Sequence, residues 1–267
     1  MTSPDGRAQL DAFIDDLARA PARVLLVDFD GTLAPFHVDR DAVTPYPGVR
    51  EAMKEILSTG KTRVVVISGR EVRDLQRALG VEPPPELWGT HGWERLERGG
   101  PHRLRNVPGP AAAALQRAVL AVAELALGER IEKKPASLAL HVRGLPAEEA
   151  ERILAAAAAA WQPLLDDGID IHPFEGGIEL RVRGWDKGDA VGAVVADEPE
   201  GAAAAYLGDD LTDEDAFRAL NDLGEAERVR ALSVLVRTVP RDSLATARLR
   251  PPEELLDFLL RWCRATT

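Results

Sequence analysis

The stretch VLLVDFDGTLAP, residues 24–35, closes an apolar run with two carboxylates, Asp28 and Asp30. In an extended segment, side chains at i and i+2 share a side. Two carboxylates held that close repel unless a cation joins them or one keeps a proton. One chemistry uses both: Asp28 as a nucleophile and Asp30 as its general acid/base, with Mg²⁺ between the groups. Gly31 lets the backbone turn and offer N–H groups, with Thr32 beside it, to a phosphate. The same five residues also read as a turn with Asx capping, so the pair alone leaves both readings open.

Three further stretches bear on that choice. VVVISGR places Ser68 at the end of one run and the mouth of a helix, where its hydroxyl holds a phosphate oxygen or caps the helix. WDKGDAV places Lys187 at a helix start, where a cation opposes the helix dipole unless an anion such as phosphate binds there. YLGDDLTDEDAF crowds five acids between a strand and a helix. Acids suit a helix start, which accounts for Asp213, Glu214 and Asp215, whereas Asp209 and Asp210 directly follow Gly208 and read as Mg²⁺ ligands. Together these residues describe phosphoryl transfer. Asp28 attacks phosphorus to give an aspartyl phosphate, and Asp30 protonates the leaving alcohol and then activates water. Ser68 and Lys187 hold the phosphoryl oxygens, while Mg²⁺ on Asp28, Asp209 and the Asp30 main-chain carbonyl offsets charge.

The elements that must position these groups alternate. Residues 23–29, 63–68, 86–90, 203–208 and 231–237 read as strands, and 48–59, 69–80, 186–197, 213–221 and 252–264 as helices. That pattern implies an α/β fold, a Rossmann-like parallel sheet covered on both faces, with ligands at the carboxyl ends of the strands. The middle of the chain differs: helix 110–127, strand 136–143, helix 146–161, then a hairpin of 169–174 and 177–184. It reads as an α+β domain inserted at 107–183 into a core of 1–106 and 184–267. In SLALHVR, Ser137, His141 and Arg143 share a face with Ala139 between them; in GIELRVR, Glu179, Arg181 and Arg183 do the same. Lys133, Lys134, Ser137, His141 and Glu179 mix donors and acceptors as sugar hydroxyls require, though each strand alone also reads as a solvated face.

Composition narrows the class. The 267 residues are 45% hydrophobic, enough for one large or two modest cores. The first residues lack the basic and apolar segments of a signal peptide, and no run of about 18 apolar residues exists to span a membrane. A net charge of −11 with no basic cluster argues against nucleic acid as a partner. The single Cys263 excludes an internal disulfide and fits a reducing compartment. The expectation is a cytoplasmic monomer acting on a small molecule. Of 33 basic residues only five are lysine, which draws attention to Lys133, Lys134 and Lys187, where a compact ammonium is used.

DFDGT, ISGR, DKG and GDDLTDED, in that order, resemble the four signature segments of the haloacid dehalogenase superfamily of phosphatases. The resemblance implies the fold and roles above, with the insert as the cap. It assigns Asp28, Asp30, Ser68 and Lys187 to catalysis, and Asp28, Asp30, Asp209, Asp210 and Asp213 to Mg²⁺. Gly31, Thr32, Ser68, Gly69 and Lys187 fall to the phosphate. GTHGWE, IEKKPASLALHVR and GIELRVRGWDKG are similar to elements of the trehalose-6-phosphate phosphatase branch, departing from its wording at Val142 and Val182. That similarity adds Arg70, His91, Gly92, Glu94, Lys133, Lys134, Ser137, His141 and Glu179 as substrate-binding residues. It implies hydrolysis of trehalose 6-phosphate, with association to a trehalose-6-phosphate synthase left open. Competing expectations are a phosphatase of sucrose phosphate or glucosyl-3-phosphoglycerate, and a phospho-acceptor or silent regulatory partner of a trehalose synthase.

Overall fold

Strands apolar at successive positions must be covered on both faces, and the apolar runs of this chain are. A computed structural model describes residues 4–37, 42–123, 125, 127 and 130–267. Contacts divide it into two compact units, residues 1–103 with 186–267, and residues 104–185.

In the larger unit the chain enters through α1 (Pro4–Leu17) and lays down β1 (Arg23–Val27), α2 (Val49–Thr59), β2 (Arg63–Ile67), α3 (Val72–Leu79) and β3 (Glu86–Gly89). Short strands β4 (Glu94–Leu96) and β5 (His102–Leu104) follow. The smaller unit holds α4 (Gly109–Ala123), β6 (Ile131–Lys134), β7 (Ser137–His141), α5 (Ala147–Trp161), β8 (Ile169–Phe174) and β9 (Gly177–Val182). The chain then returns through α6 (Lys187–Ala196), β10 (Ala202–Gly208), α7 (Glu214–Glu225), β11 (Val229–Val236), β12 (Ala247–Leu249) and α8 (Glu253–Thr266).

Among the described residues, the larger sheet runs β12-β11-β10-β1-β2-β3-β4-β5. β12 through β3 are parallel and β4 is antiparallel to β3. The chain builds outward from β1 in one direction, then returns to β10 on its other side and builds the opposite way. The exit of β1 beside β10 is therefore the topological switch point, where the two halves diverge and leave a crevice. Leu25, Val27, Val66, Ala205 and Leu207 join one core with α1, α2, α3 and α8, while α6 and α7 pair and α7 packs on β10 and β11. No described helix is long and apolar enough to cross a membrane.

The smaller unit has a four-stranded antiparallel sheet, β6-β7-β9-β8, with α4 packed on β7 and β8 and α5 packed on α4. Leu138 pairs with Leu180 and Leu140 with Ile178, forming the buried apolar face. Ser137 pairs with Arg181 and Ala139 with Glu179 on the polar face. The α+β character of the insert follows from these alternating patterns.

Several boundaries differ from expectation. The helix expected from residue 69 begins at Val72, because the Ser68 and Arg70 carbonyls accept from His91 and Thr90 N–H groups instead of feeding the helix. β4 (ERL), β5 (HRL) and β6 (IEKK) carry little apolar signal and escape a reading by hydropathy. α4 closes at Ala123; its expected extension to 127 crosses residues 124 and 126, which lie outside the described residues.

Trp161 is fully buried and donates from Nε1 to the Ala118 carbonyl at 3.2 Å, tying α5 to α4. Trp161→Ala should cost about 3–5 kcal/mol, read as a lowered urea midpoint. A loss under about 1 kcal/mol would show that this helix pair does not anchor the smaller unit.

Candidate active site

β1 and β10 exit side by side at the switch point, and their next residues are Asp28 and Asp209. The Asp28 N–H donates to the Leu207 carbonyl at 2.8 Å, so the β1 exit is held by its neighbour. Both carboxylates are buried. With the buried Asp213 they form a cluster whose oxygens lie within 4.8 Å of one another. Lys187 Nζ, at the first turn of α6, donates to Asp28 Oδ1 at 2.8 Å and to Asp213 Oδ1 at 2.6 Å. These two anions offset the burial of a cation at a helix start, while Asp186 and Asp189 cap the helix with a reciprocal capping box.

The acids after β10 divide by their partners. Asp213 Oδ1 accepts from Lys187 and from the Tyr206 hydroxyl at 2.7 Å, and Oδ2 accepts from the Asp209 and Asp210 N–H groups at 2.9 and 3.0 Å. Asp213 therefore spends both oxygens on internal donors. Asp210 caps the short turn that follows, accepting from Leu211 N–H at 2.7 Å. Asp209 keeps its carboxylate toward Asp28, held by the buried Thr32 hydroxyl at 3.1 Å. Gly31, at φ +89°, makes that approach possible: a Cβ there would lie 2.2 Å from Asp209 Oδ2. Its N–H, expected to face a phosphate, donates to the Ala34 carbonyl at 2.7 Å.

Three buried carboxylates around one ammonium leave excess negative charge with oxygen donors only, which is the donor set of a small hard divalent cation. The site fits Mg²⁺, with the Asp28 and Asp209 carboxylates as the residues with capacity to hold it.

Asp30 lies beyond this cluster and is partly exposed. Arg70, itself buried, grips both its oxygens, Nε and Nη2 each at 2.7 Å, and lies over the Phe29 ring. Ser68 is buried at the end of β2, and its hydroxyl accepts from the Arg70 N–H at 3.2 Å. The loop Ser68-Gly69-Arg70 rests on a turn in which Thr90 and His91 both take positive φ, 48° and 55°. Such values are costly for β-branched threonine and occur where surrounding structure enforces them. Here the Thr90 N–H donates to the Arg70 carbonyl at 2.7 Å and the His91 N–H to the Ser68 carbonyl at 3.0 Å. The His91 ring occupies the place of a Gly69 side chain, where a Cβ would approach it to 2.8 Å. Gly92 completes the turn at φ 105°. Glu94, read as a sugar contact, is buried; it accepts from the Thr90 hydroxyl at 2.6 Å and pairs with His102 at 3.1 Å.

In the smaller unit the polar sheet face gathers around Glu179, which is 2% exposed. Its Oε1 accepts from Lys134 and Ser137, both at 2.7 Å, and its Oε2 from Arg181 Nε at 2.9 Å. His141 and Glu132 share a hydrogen bond of 2.9 Å beside them. Lys133 is exposed, on the other side of β6 from Lys134. Arg181 and Tyr206 were not among the residues expected at a site. Arg181 lies two positions from Glu179 on the same face, and Tyr206 is the one hydroxyl-bearing side chain in AAAAYLG, so both had a visible signal.

A doubly wound parallel sheet with carboxylates at the exits of its two central strands, a buried lysine at the next helix start and an α+β insert defines a haloacid dehalogenase-like fold. The chain belongs to the trehalose-phosphatase family, whose sequence model matches residues 26–253. It is 33% identical over 220 residues to the trehalose-phosphate phosphatase of Mycobacterium marinum, covering 79% of this chain and 54% of that protein. The chain thus spans about half the length of that relative. In fold it is similar to the C-terminal domain of the C. albicans trehalose-6-phosphate phosphatase, with a TM-score of 0.78 at 23% identity over 96% of each chain. It is also similar in fold to the C-terminal domain of the Candida albicans trehalose synthase regulatory protein, with a TM-score of 0.73 at 15% identity over 94% of this chain and 97% of that one.

The electrostatics of the larger unit match its donor set. Burial pushes Asp28 up to about 7 against the pull of Lys187, with the charges of Asp213 and Asp30 adding to the rise. Burial and the neighbouring Asp28, Asp213 and Asp210 charges push Asp209 well above the ordinary range. Burial opposes ionisation of Asp213 too, but the charge and hydrogen bond of Lys187 and the bonds from Tyr206 and the Asp210 backbone overcome it and hold that carboxyl low. Acids raised by folding contribute stability below their unfolded value of 3.8 and lose it as pH climbs through the folded one. The metal-free protein should therefore lose thermal stability as pH rises toward and past about 7, where Asp28 and Asp209 must ionise without a cation. Added Mg²⁺ should raise Tm strongly at about pH 8 and little at about pH 5, where protons compete for the same oxygens. Equal gains at both values, in melts run with EDTA and with Mg²⁺, would contradict this.

Proposed function

We propose that this chain hydrolyses trehalose 6-phosphate to trehalose and phosphate, with Mg²⁺ and through an aspartyl phosphate on Asp28. The observation that carries the proposal is the buried pair of strand-end carboxylates, Asp28 and Asp209, with Lys187 at 2.8 Å from Asp28, in a trehalose-phosphatase family chain. Asp28, held by the β1 exit and oriented by Lys187, attacks phosphorus, and the bond to the sugar oxygen breaks. Asp30 gives that oxygen its proton and then takes one from the water that cleaves the acyl phosphate. The bidentate grip of Arg70 on Asp30 suits the ionised, proton-accepting half of this cycle. Delivering the proton requires the carboxyl to turn from Arg70 toward the leaving oxygen. Ser68 and Lys187 steady the phosphoryl oxygens. A Mg²⁺ ion held by the Asp28 and Asp209 carboxylates would offset the negative charge gathered there.

The smaller unit supplies the choice of sugar. Glu179, with Lys134 and Ser137 fixed on it, and the His141–Glu132 pair present donors and acceptors in set positions. Such a face suits a neutral, hydroxyl-rich group, whose hydroxyls both donate and accept and can join a network of fixed donors and acceptors.

Phosphate release should be strongest with trehalose 6-phosphate in a panel that also holds sucrose 6-phosphate, glucose 6-phosphate, glucosyl-3-phosphoglycerate and p-nitrophenyl phosphate, and chelator should abolish it. Glu179→Gln should lower kcat/KM for trehalose 6-phosphate by about 100-fold while changing that for p-nitrophenyl phosphate less than about threefold. Equal losses on both substrates would remove Glu179 from sugar recognition. Preference for another sugar phosphate would overturn the substrate assignment and leave the phosphoryl chemistry standing.

A further inference from the structure

The turn that carries Asp209 is gripped from both sides. On one side the Asp209 and Asp210 N–H groups donate to the single Asp213 Oδ2. On the other side both carbonyls accept from the guanidinium of Arg241, in the loop between β11 and β12. Arg241 Nη2 donates to the Asp210 carbonyl at 2.8 Å and to the Asp209 carbonyl at 3.3 Å, and its Nε also reaches Asp209 at 3.3 Å. Its Nη1 donates to the Asp242 carbonyl at 2.8 Å and pairs with Glu214 at the start of α7. Arg237 adds a longer contact to the Asp209 carbonyl at 3.4 Å. The Arg241 side chain is 19% exposed, so the grip is largely shielded from water. Its own backbone is fixed in turn, since Arg248 donates to the Arg241 carbonyl at 2.6 Å.

We infer that Arg241 is a positioning residue for the cation site: its planar fork fixes the Asp209–Asp210 turn and thereby sets how tightly Asp28 and Asp209 hold a divalent cation. The inference rests on the metal reading proposed above. A carboxylate ligand binds well only if its backbone is held before the cation arrives. The two residues leading out of β10 have their backbone donors fixed by an anion and their backbone acceptors fixed by a cation. Arginine suits this task because its donors lie in one rigid plane and reach several carbonyls together, whereas a lysine ammonium supplies charge without the fork. Nothing in TVPRDSLATAR marks Arg241 in the sequence, because its partners are carbonyl groups about 30 residues away.

The test uses the full chain without substrate. Mn²⁺, standing in for Mg²⁺, is titrated and the free ion counted by electron paramagnetic resonance; Mg²⁺ follows by competition. Arg241→Lys and Arg241→Ala should each weaken binding about tenfold at a temperature where circular dichroism shows every variant folded. At saturating Mg²⁺, KM for the phosphate ester should stay within about twofold of wild type. Arg241→Lys keeps the charge, so it stands in if Arg241→Ala does not fold. Wild-type affinity in Arg241→Lys would overturn the inference, because charge alone would then suffice. Unchanged affinity in both variants would overturn it as well. A wild-type chain that binds neither ion would overturn the metal reading itself and, with it, the role of Arg241.

Discussion

The ammonium of Lys187 is the hinge of the larger unit's chemistry. It is 2% exposed, and its partners Asp28 and Asp213 are 4% and 0% exposed. Asp28 is 159 residues away in sequence and Asp213 is 26 away, so one cation ties the β1 exit, the start of α6 and the approach to α7. Burying ions is costly, and removing one partner of a buried pair leaves an uncompensated charge worth about 3–5 kcal/mol. Arginine would bring a wider, planar head to this pocket, whereas lysine brings a compact charge with three donors. In a chain where only five of 33 basic residues are lysine, that difference explains why one of the five stands here.

Around this lysine, Asp209 and the Ser68-Gly69-Arg70 loop are held in place before any ligand arrives. Gly31 has no side chain where Asp209 comes closest, and Thr32 holds the same carboxylate. Thr90 and His91 carry backbone strain, of order 1–3 kcal/mol each, that the sheet and two backbone hydrogen bonds enforce. That strain lets the β3 exit prop up Ser68 and Arg70 from below. In the proposed reaction, groups fixed in this way need no reorganisation when charge develops on the transferring phosphoryl, which is where electrostatic catalysis gains most.

Much of this was legible in the sequence. Continuous apolar runs locate the central strands, and Asp28, Ser68 and Asp209 stand out as candidates because each sits where such a run stops. The alternation in SLALHVR and GIELRVR separated the polar face of the smaller unit from its packed one. What escaped was whatever depends on which partner the folded chain brings to a group, near or far in sequence. Glu94 reads as a free carboxylate until Thr90 and His102 are seen to occupy it. Gly31 reads as an N–H donor until Ala34 is seen to accept that N–H. Arg241 grips carbonyls, which no residue pattern records. α3 starts later than its sequence pattern suggests because two of its expected carbonyls bond to a strained turn some 20 residues on.

In the proposed reaction the switch point presents Asp28 as the nucleophile. During turnover of trehalose 6-phosphate with Mg²⁺, borohydride quenching reduces an acyl phosphate and leaves a free carboxylate untouched. Peptide mass spectrometry should then find residue 28 converted to homoserine, with Asp30 and Asp209 unchanged. Turnover with Asp28 unmodified, and reduction at no carboxylate, would mean that water attacks phosphorus directly and that this arrangement does something other than form a covalent intermediate.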